Sequence, residues 1–239
     1  MITLVENNLP AIDPSRTLSG RLLSWWEAYG KHSQIAQFYK DEYGSCAVLV
    51  DGQAVLICNT NASRKEFVSF FALQQNIKSI YTDIATAEFF NLPFSHVEVM
   101  RCEKTIPLQP LIPSSPHEIY AVLSAVFENF LAFEPWYLDV SYRMRHGLCH
   151  QTSVRKDDTL VSSAMTVAEW ENGVLLGSVA TLPEYRRNGY AAQCVLTLAA
   201  FCQQQGKTVY ISPQNKEAKR LYTTLGFKDF ETVALIERK

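Results

Sequence analysis

Two arginines and a glycine stand where an apolar strand pattern gives way to an apolar helix pattern. The stretch reads Thr181-Leu-Pro-Glu-Tyr-Arg186-Arg187-Asn188-Gly189-Tyr190-Ala191-Ala192. It ends a strand-like run, Val174–Leu182, and opens a helix expected from about Gly189 to Gln205. The first N–H groups of a helix have no partners within it, so they can face an anion. The helix dipole adds about 0.3–2 kcal/mol in favour of negative charge at that end. Gly189 and Ala191 let phosphate oxygens approach the backbone. Arg186 and Arg187 add charge-assisted donors, each worth about 1.5–3 kcal/mol when shielded. The combination suits a pyrophosphate. It is neither the G-x-G-x-x-G dinucleotide fingerprint nor a P-loop, since no G-K-S/T follows.

Other residue clusters point elsewhere or nowhere. His146 and His150 are four apart with Cys149 between them, and on one helix they could share a metal. Gly147 reads as a helix stop that moves His150 to the next strand, so no metal is expected. The cysteines Cys46, Cys58, Cys102, Cys149, Cys194 and Cys202 form no C-x-x-C pair, and several sit in apolar runs. They read as buried free thiols in a reducing cytoplasm. A formal net charge of -2 argues against a nucleic-acid partner. The local basic stretch Arg143, His146, His150, Arg155 and Lys156 is either a solvated surface or a site for an acidic group. No apolar run is long enough to span a membrane, and the N-terminus lacks the pattern of a signal peptide. A cytoplasmic protein is therefore expected.

The elements that must position the arginine loop are legible in the second half. Pro107, Pro110, Pro113 and Pro116 recur every third residue, an extended spacing that marks a joint at residues 107–116. Ser115, Pro116 and Glu118 then form a helix start with a capping box. Ile119, Val122, Leu123, Val126, Phe127 and Phe130 follow at helical spacing. Asp139–His146 reads as a second helix, and Leu148–Arg155 and Leu160–Val167 as strands. Asn172-Gly173 turns the chain into Val174–Leu182. After the long helix come a strand at Thr208–Ser212, a helix at Asn215–Leu225 and a strand at Thr232–Glu237. The first half gives helices at Thr17–Tyr29 and His32–Tyr39, then a hairpin of Cys46–Val50 and Ala54–Cys58 across Asp51-Gly52. Ser63 caps a helix at Arg64–Gln75, and Ile77–Tyr81 is a strand. The expected class is α/β, an α+β mixed sheet, with the first half a shortened echo of the second.

Arg186-Arg-Asn-Gly189-Tyr-Ala191 matches the pattern Q/R-x-x-G-x-G/A of the GNAT superfamily of N-acetyltransferases. Downstream, Asn215-Lys-Glu-Ala218-Lys-Arg-Leu221-Tyr222-Thr-Thr-Leu225-Gly226-Phe227 resembles that superfamily's second signature, N-x-x-A-x-x-L-Y-x-x-L-G-F. Both signatures occur in order, with a helix and a strand between them. The segment from about Pro113 to Lys239 resembles one catalytic GNAT domain. The resemblance implies a GNAT-like acyl-CoA acyltransferase fold: residues 117–239 a catalytic N-acetyltransferase domain, 107–116 a linker, and 1–106 a smaller, degenerate GNAT-like lobe. Neither signature appears in that lobe, so it is expected not to bind coenzyme A.

The resemblance also implies roles. The strand before the loop splays from its neighbour, and the main chain near Val179 and Thr181 binds the pantetheine arm of acetyl-CoA. Backbone N–H groups there can hold the oxyanion of acyl transfer. Arg186, Arg187, Asn188, Gly189, Tyr190, Ala191 and Ala192 hold the pyrophosphate. Asn215 caps its helix and could also touch the cosubstrate. Tyr222 protonates the departing thiolate, or else serves only as a core aromatic on the face of Ala218, Leu221 and Leu225. The glutamate that many relatives use as a base falls here at or near Leu175, which cannot act as one. Glu169, Glu171, Asp139, His146 and His150 are the alternatives. The acceptor implied is a small-molecule or peptide primary amine. A longer acyl chain, or a non-catalytic acyl-CoA-binding module, are the competing readings.

Overall fold

The computed structural model describes residues 1–30 and 35–238. The chain divides into two compact units: Met1–Val99 with Phe230–Lys239, and Met100–Asp229. The first unit holds β1 (Thr3–Leu4), α1 (Thr17–Tyr29), β2 (Ala36–Lys40), β3 (Cys46–Val50), β4 (Gln53–Ile57), α2 (Asn61–Ala72), β5 (Ser79–Thr82) and α3 (Ile84–Ala87). β6 (Phe94–Cys102) runs across the boundary. The second unit holds α4 (Pro116–Val126), α5 (Phe133–Arg145), β7 (Gln151–Lys156), β8 (Thr159–Trp170), β9 (Gly173–Thr181), α6 (Tyr190–Gln204), β10 (Thr208–Ile211) and α7 (Lys216–Thr224). β11 (Phe227–Glu237) begins in the second unit and ends in the first.

In the first unit the strands lie in the order β1-β2-β3-β4-β5-β11. Asp51 and Gly52, at φ 42° and 75°, close the β3–β4 hairpin that their residue types predict. Residues 36–40 are strand and not the helix expected over His32–Tyr39, because Ala36 and Phe38 alternate inward at period two. The rest of that expected helix, residues 32–34, lies outside the described residues. The next helix starts earlier than expected: Thr60, not Ser63, is its cap, accepting from Ser63 N at 3.1 Å. β4 and β5 run parallel, and Thr82 Oγ1 donates to Leu56 O at 2.9 Å, which continues their contact.

The second unit has the strand order β6-β10-β9-β8-β7. β7, β8 and β9 form the antiparallel meander that the turns predict, and β10 lies parallel to β9. Ser115 and Glu118 form the capping box at the start of α4. α5 begins six residues before the helix expected at Asp139, since Pro135 is tolerated in a first turn. Successive β-strand side chains alternate between faces, so the sheet carries two cores. One packs Val161, Val174 and Leu176 against Val195 and Leu198 of α6 and Tyr222 of α7. The other packs Leu160, Met165 and Ala180 against Ile119 and Leu123 of α4 and Trp136 of α5.

Candidate active site

β9 pairs with β10 only from Gly173 to Leu176, where Leu176 stands opposite Ile211. Its remaining residues, 177–181, keep their ladder to β8 but have no partner in β10. Two irregularities in the β8–β9 ladder flank the point of parting. Val167 is an extra residue in β8, and Ser178-Val179 oppose the single Ala164 in β9. Ser178 takes φ 49°, as a bulged residue can. Bulges bend and twist the strand that carries them, which swings the end of β9 away from a straight neighbour. Val179 packs towards α6, and Thr181 Oγ1 lies 2.8 Å from Ser162 Oγ.

The loop that follows is braced by its own side chains. Arg186 Nε donates to Thr181 O at 3.2 Å, so that carbonyl has a partner within the chain. Asn188 Nδ2 donates to the carbonyls of Tyr185 and Arg186, both at 3.1 Å. Arg187 and Gly189 both lie in the left-handed region, at φ 66° and 79°. A left-handed residue beside a right-handed one turns successive N–H groups to one side, the anion-binding nest. Gly189 occupies the N-cap of α6 without a side-chain cap, and a Cβ there would meet nothing within 4 Å. Among the described residues, none accepts a hydrogen bond from the main-chain N–H of Asn188, Gly189, Tyr190, Ala191 or Ala192. These amides are open beside the unpaired end of β9. Lys156 Nζ, from the end of β7, stands 5.7 Å from the centre of the Tyr190 ring and brings a further positive charge to this end of α6.

Asn215 caps α7 through Oδ1, which accepts from Ala218 N at 2.8 Å. The cap turns the helix so that Tyr222 faces the sheet, 5% exposed, with its ring centre 6.1 Å from that of Phe227. Burial pushes the Tyr222 phenol up to about 12. It therefore keeps its proton at any pH near neutrality.

The candidate bases separate clearly. Leu175 is buried, as a residue without proton chemistry can be. His146 and His150 do not meet at a metal: His146 Nδ1 contacts Tyr142 O at 2.8 Å, while His150 Nδ1 lies 3.0 Å from Glu169 Oε2. Among the described residues, no group of three His, Cys, Asp or Glu side chains could hold a metal. Glu169 also accepts from Lys207 Nζ at 2.8 Å. Burial by itself would raise the Glu169 carboxyl, but hydrogen bonds from His150 and Lys207 hold it below its ordinary value. Glu169 pairs with Val174, seven residues before Thr181, which puts it roughly 20 Å from the arginine loop. Glu171 lies exposed in the β8–β9 turn. Asp139 is bound to Arg143 on α5, with Arg143 Nη2 at 2.6 Å and Nε at 3.0 Å.

Sequence reasoning did not single out Gly177, Ser178 or Val167, and it named Lys156 only within the basic stretch that could hold an acidic group. A glycine inside an apolar strand run is a bulge signal, and Gly177 carries it. The other three have no sequence signature of their own.

The second unit is thus a mixed sheet in which β9 parts from β10 beside a helix N-terminus with open amides, the arrangement that the resemblance to the GNAT superfamily implies. Comparison with known proteins gives the same class: residues 117–227 match the acetyltransferase (GNAT) family. The chain therefore carries a GNAT acetyltransferase domain, and the protein is an acyltransferase. Solved structures extend the likeness of fold over both units. A chain from Novosphingobium aromaticivorans assigned to the GNAT family has 18% identity and a TM-score of 0.63, covering 95% of this chain and 100% of its own. A GNAT-family acetyltransferase from Colwellia psychrerythraea has 13% identity and a TM-score of 0.57, covering 100% of both chains. A tandem GNAT protein of the clavulanic acid biosynthesis pathway has 12% identity and a TM-score of 0.59, covering 95% of this chain and 89% of its own. No curated protein matches the sequence. No helix among the described residues is long and apolar enough to cross a membrane.

Proposed function

We propose that this protein transfers an acetyl group from acetyl-CoA to the primary amine of a small molecule or peptide in the cytoplasm, with residues 117–239 as the catalytic domain. The observation that carries the reading is the set of unpartnered amides at residues 188–192, beside a β9 end that has no β10 partner. Gly189 fits a diphosphate there, because neither a Cβ nor any neighbour fills the space. Arg187, exposed and left-handed, supplies charge, whereas Arg186 divides its guanidinium between the loop carbonyl and the anion. Asn188 shapes the nest through its two carbonyl bonds, and Tyr190, Ala191 and Ala192 contribute main-chain N–H groups. Val179 and Thr181 line the parting of the strands. Asn215 acts through its cap, which holds α7 and so Tyr222 in place. The lobe at 1–106 binds no coenzyme A in this reading.

The chemistry is a direct displacement. The neutral amine attacks the thioester carbonyl, the C–S bond breaks, the amine's proton passes to solvent, and the thiolate gains a proton to leave as free coenzyme A. Tyr222 is the proton donor. With the phenol at about 12 against an ordinary thiol near 8.5, full transfer is uphill by about 5 kcal/mol. Tyr222 therefore works chiefly as a hydrogen-bond donor that stabilises the forming thiolate and passes its proton on as solvent resupplies it. Purified protein mixed with acetyl-CoA and a panel of amines should release free thiol. Firm binding of acetyl-CoA with no turnover on any amine would overturn the assignment.

A further inference from the structure

We infer that Val167 is a wedge that sets the opening between β9 and β10, and that Arg143 is the positioning residue that fixes the wedge. This deepens the acyl-CoA reading of that opening and rests on it for its binding test.

Three observations meet at one point. A Cβ built on Gly177 would stand 2.7 Å from Val167 Cγ1 and 3.1 Å from Cγ2, so the valine side chain occupies the space a side chain at 177 would need. Gly177 is the first residue of β9 beyond its last pair with β10. Val167 is itself the extra residue of β8, lying between the pairs Thr166–Leu176 and Ala168–Leu175. A bulged residue leaves its peptide groups outside the regular ladder. Here the Val167 carbonyl accepts from Arg143 Nη1 at 3.5 Å. Arg143 is 6% exposed, and Asp139 holds its other edge through Nε and Nη2.

Each part constrains the next. Asp139 orients the guanidinium, and the guanidinium reaches the carbonyl of the bulge. The bulge aims the valine methyls at Gly177. Pressed from the β8 side at that residue, β9 bends, takes up its own extra residue at Ser178 (φ 49°), and leaves β10. None of Asp139, Arg143, Val167 or Gly177 belongs to the signatures of the cosubstrate loop.

The test compares Gly177→Ala, Val167→Ala, the Val167→Ala/Gly177→Ala pair and Arg143→Lys with the parent. Titration with acetyl-CoA reads the opening, and amide exchange over residues 177–181 of the unliganded protein reads β9 directly. Gly177→Ala should weaken acetyl-CoA binding at least tenfold, and the pair should recover to within about threefold of the parent, because the alanine methyl then sits where the valine methyls were. Val167→Ala, which folds even if Gly177→Ala does not, should weaken binding about three- to tenfold. Arg143→Lys, which keeps its charge beside Asp139, should raise KM for acetyl-CoA about fivefold with kcat within twofold. A purely structural arginine would lower Tm and leave KM alone. If the parent binds no acetyl-CoA, the acyltransfer reading of the opening fails, and amide exchange decides the wedge by itself. There, Gly177→Ala should shift exchange at residues 177–181 about tenfold and the pair should restore parental rates. Unchanged exchange, or a pair that behaves no better than Gly177→Ala alone, overturns the inference.

Discussion

Replacing Tyr222 by phenylalanine separates the two roles its position allows. The ring is 5% exposed and sits in the core between α6 and the sheet, next to Phe227, so a phenylalanine refills the same space. No described residue hydrogen-bonds the hydroxyl, so its removal orphans no partner. Stability should change by less than about 1 kcal/mol, or about 2–4 °C in Tm for a chain of this length. The catalytic consequence is of another size. Loss of a hydrogen-bond donor to charge that develops in the transition state costs about 10²–10³ in rate, which is about 2.7–4 kcal/mol of barrier. The loss should fall on kcat, because the hydroxyl acts on charge that develops only as the C–S bond breaks. Thiol release at saturating acetyl-CoA and amine gives kcat, calorimetric titration gives the acetyl-CoA Kd, and a melting curve gives Tm. The expected result is a kcat at least a hundredfold lower, with Kd within twofold and Tm within a few degrees. A kcat within about fivefold of the parent, with Kd intact, would refute the donor role and leave Tyr222 as packing. Since burial holds the phenol up to about 12, its ionisation should also leave no mark on the parent's pH profile below about pH 10.

Gly189→Ala should weaken acetyl-CoA binding about tenfold while costing only about 1 kcal/mol of stability, because the strain comes from φ 79° and nothing lies within 4 Å of the new methyl; titration and melting read the two effects separately. Glu169→Gln should destabilise by about 3–5 kcal/mol, since it strips the carboxylate from His150 and Lys207. In the folded fraction its acetyl-CoA Kd should match the parent's, and a large change there would contradict the roughly 20 Å of strand separating it from the loop. Cys46, Cys58 and Cys202 are pushed up to about 12 by burial, and Tyr222 likewise. The unfolded chain releases these protons near its ordinary pKa values while the folded chain holds them, so stability should fall as pH rises from about 9 towards 12. Urea midpoints at pH 8 and pH 10.5 check the sign.

Elements with a strong local signal stand close to where their residues place them. Ser115, Pro116 and Glu118 build a capping box from three neighbours, and Asp51-Gly52 turns the chain through its own backbone preference, at positive φ in both residues. Asn172-Gly173 marks the next hairpin one residue late: Glu171 and Asn172 make the turn, and Gly173 already belongs to β9, paired with Trp170 and without a positive φ. Elements that depend on distant partners were not legible. β6 is largely exposed along its first half, with no alternation to read, and pairs with β10 more than a hundred residues later. β1 is two residues long and exists through its ladder to β2. β11 begins at Phe227, five residues before the expected Thr232, because Lys228, Asp229 and Glu231 break up Phe227 and Phe230 and leave no period-two alternation to read. In the site, residue types announce the loop and the helix start. The parting of β9 from β10 does not show, since bulges at Val167 and Ser178 arise from a count of residues between two strands.

The two units contain the same strand–loop–helix arrangement and differ in what fills it. In the first, Thr60 caps α2 and takes up the Ser63 N–H, while Arg64 is held by Asn61 Oδ1 at 2.6 Å and Thr86 Oγ1 at 3.1 Å. Thr82 Oγ1 donates to Leu56 O one residue beyond the last β4–β5 pair, Val55 with Tyr81. A side-chain cap and an anion compete for the same helix N–H groups, and the cap, being part of the chain, sets a fixed penalty of about 0.5–2 kcal/mol on anion binding there. In the second unit a glycine stands at the cap position and the bulged strand lies open beside it. On the proposed reading, an acyl-CoA site and a structural helix start differ at the cap position, glycine in one and threonine in the other. Installing threonine at 189 should weaken the second site by the same competition. Its positive φ would first have to revert to the extended backbone a threonine cap adopts, as Thr60 does at φ -135°.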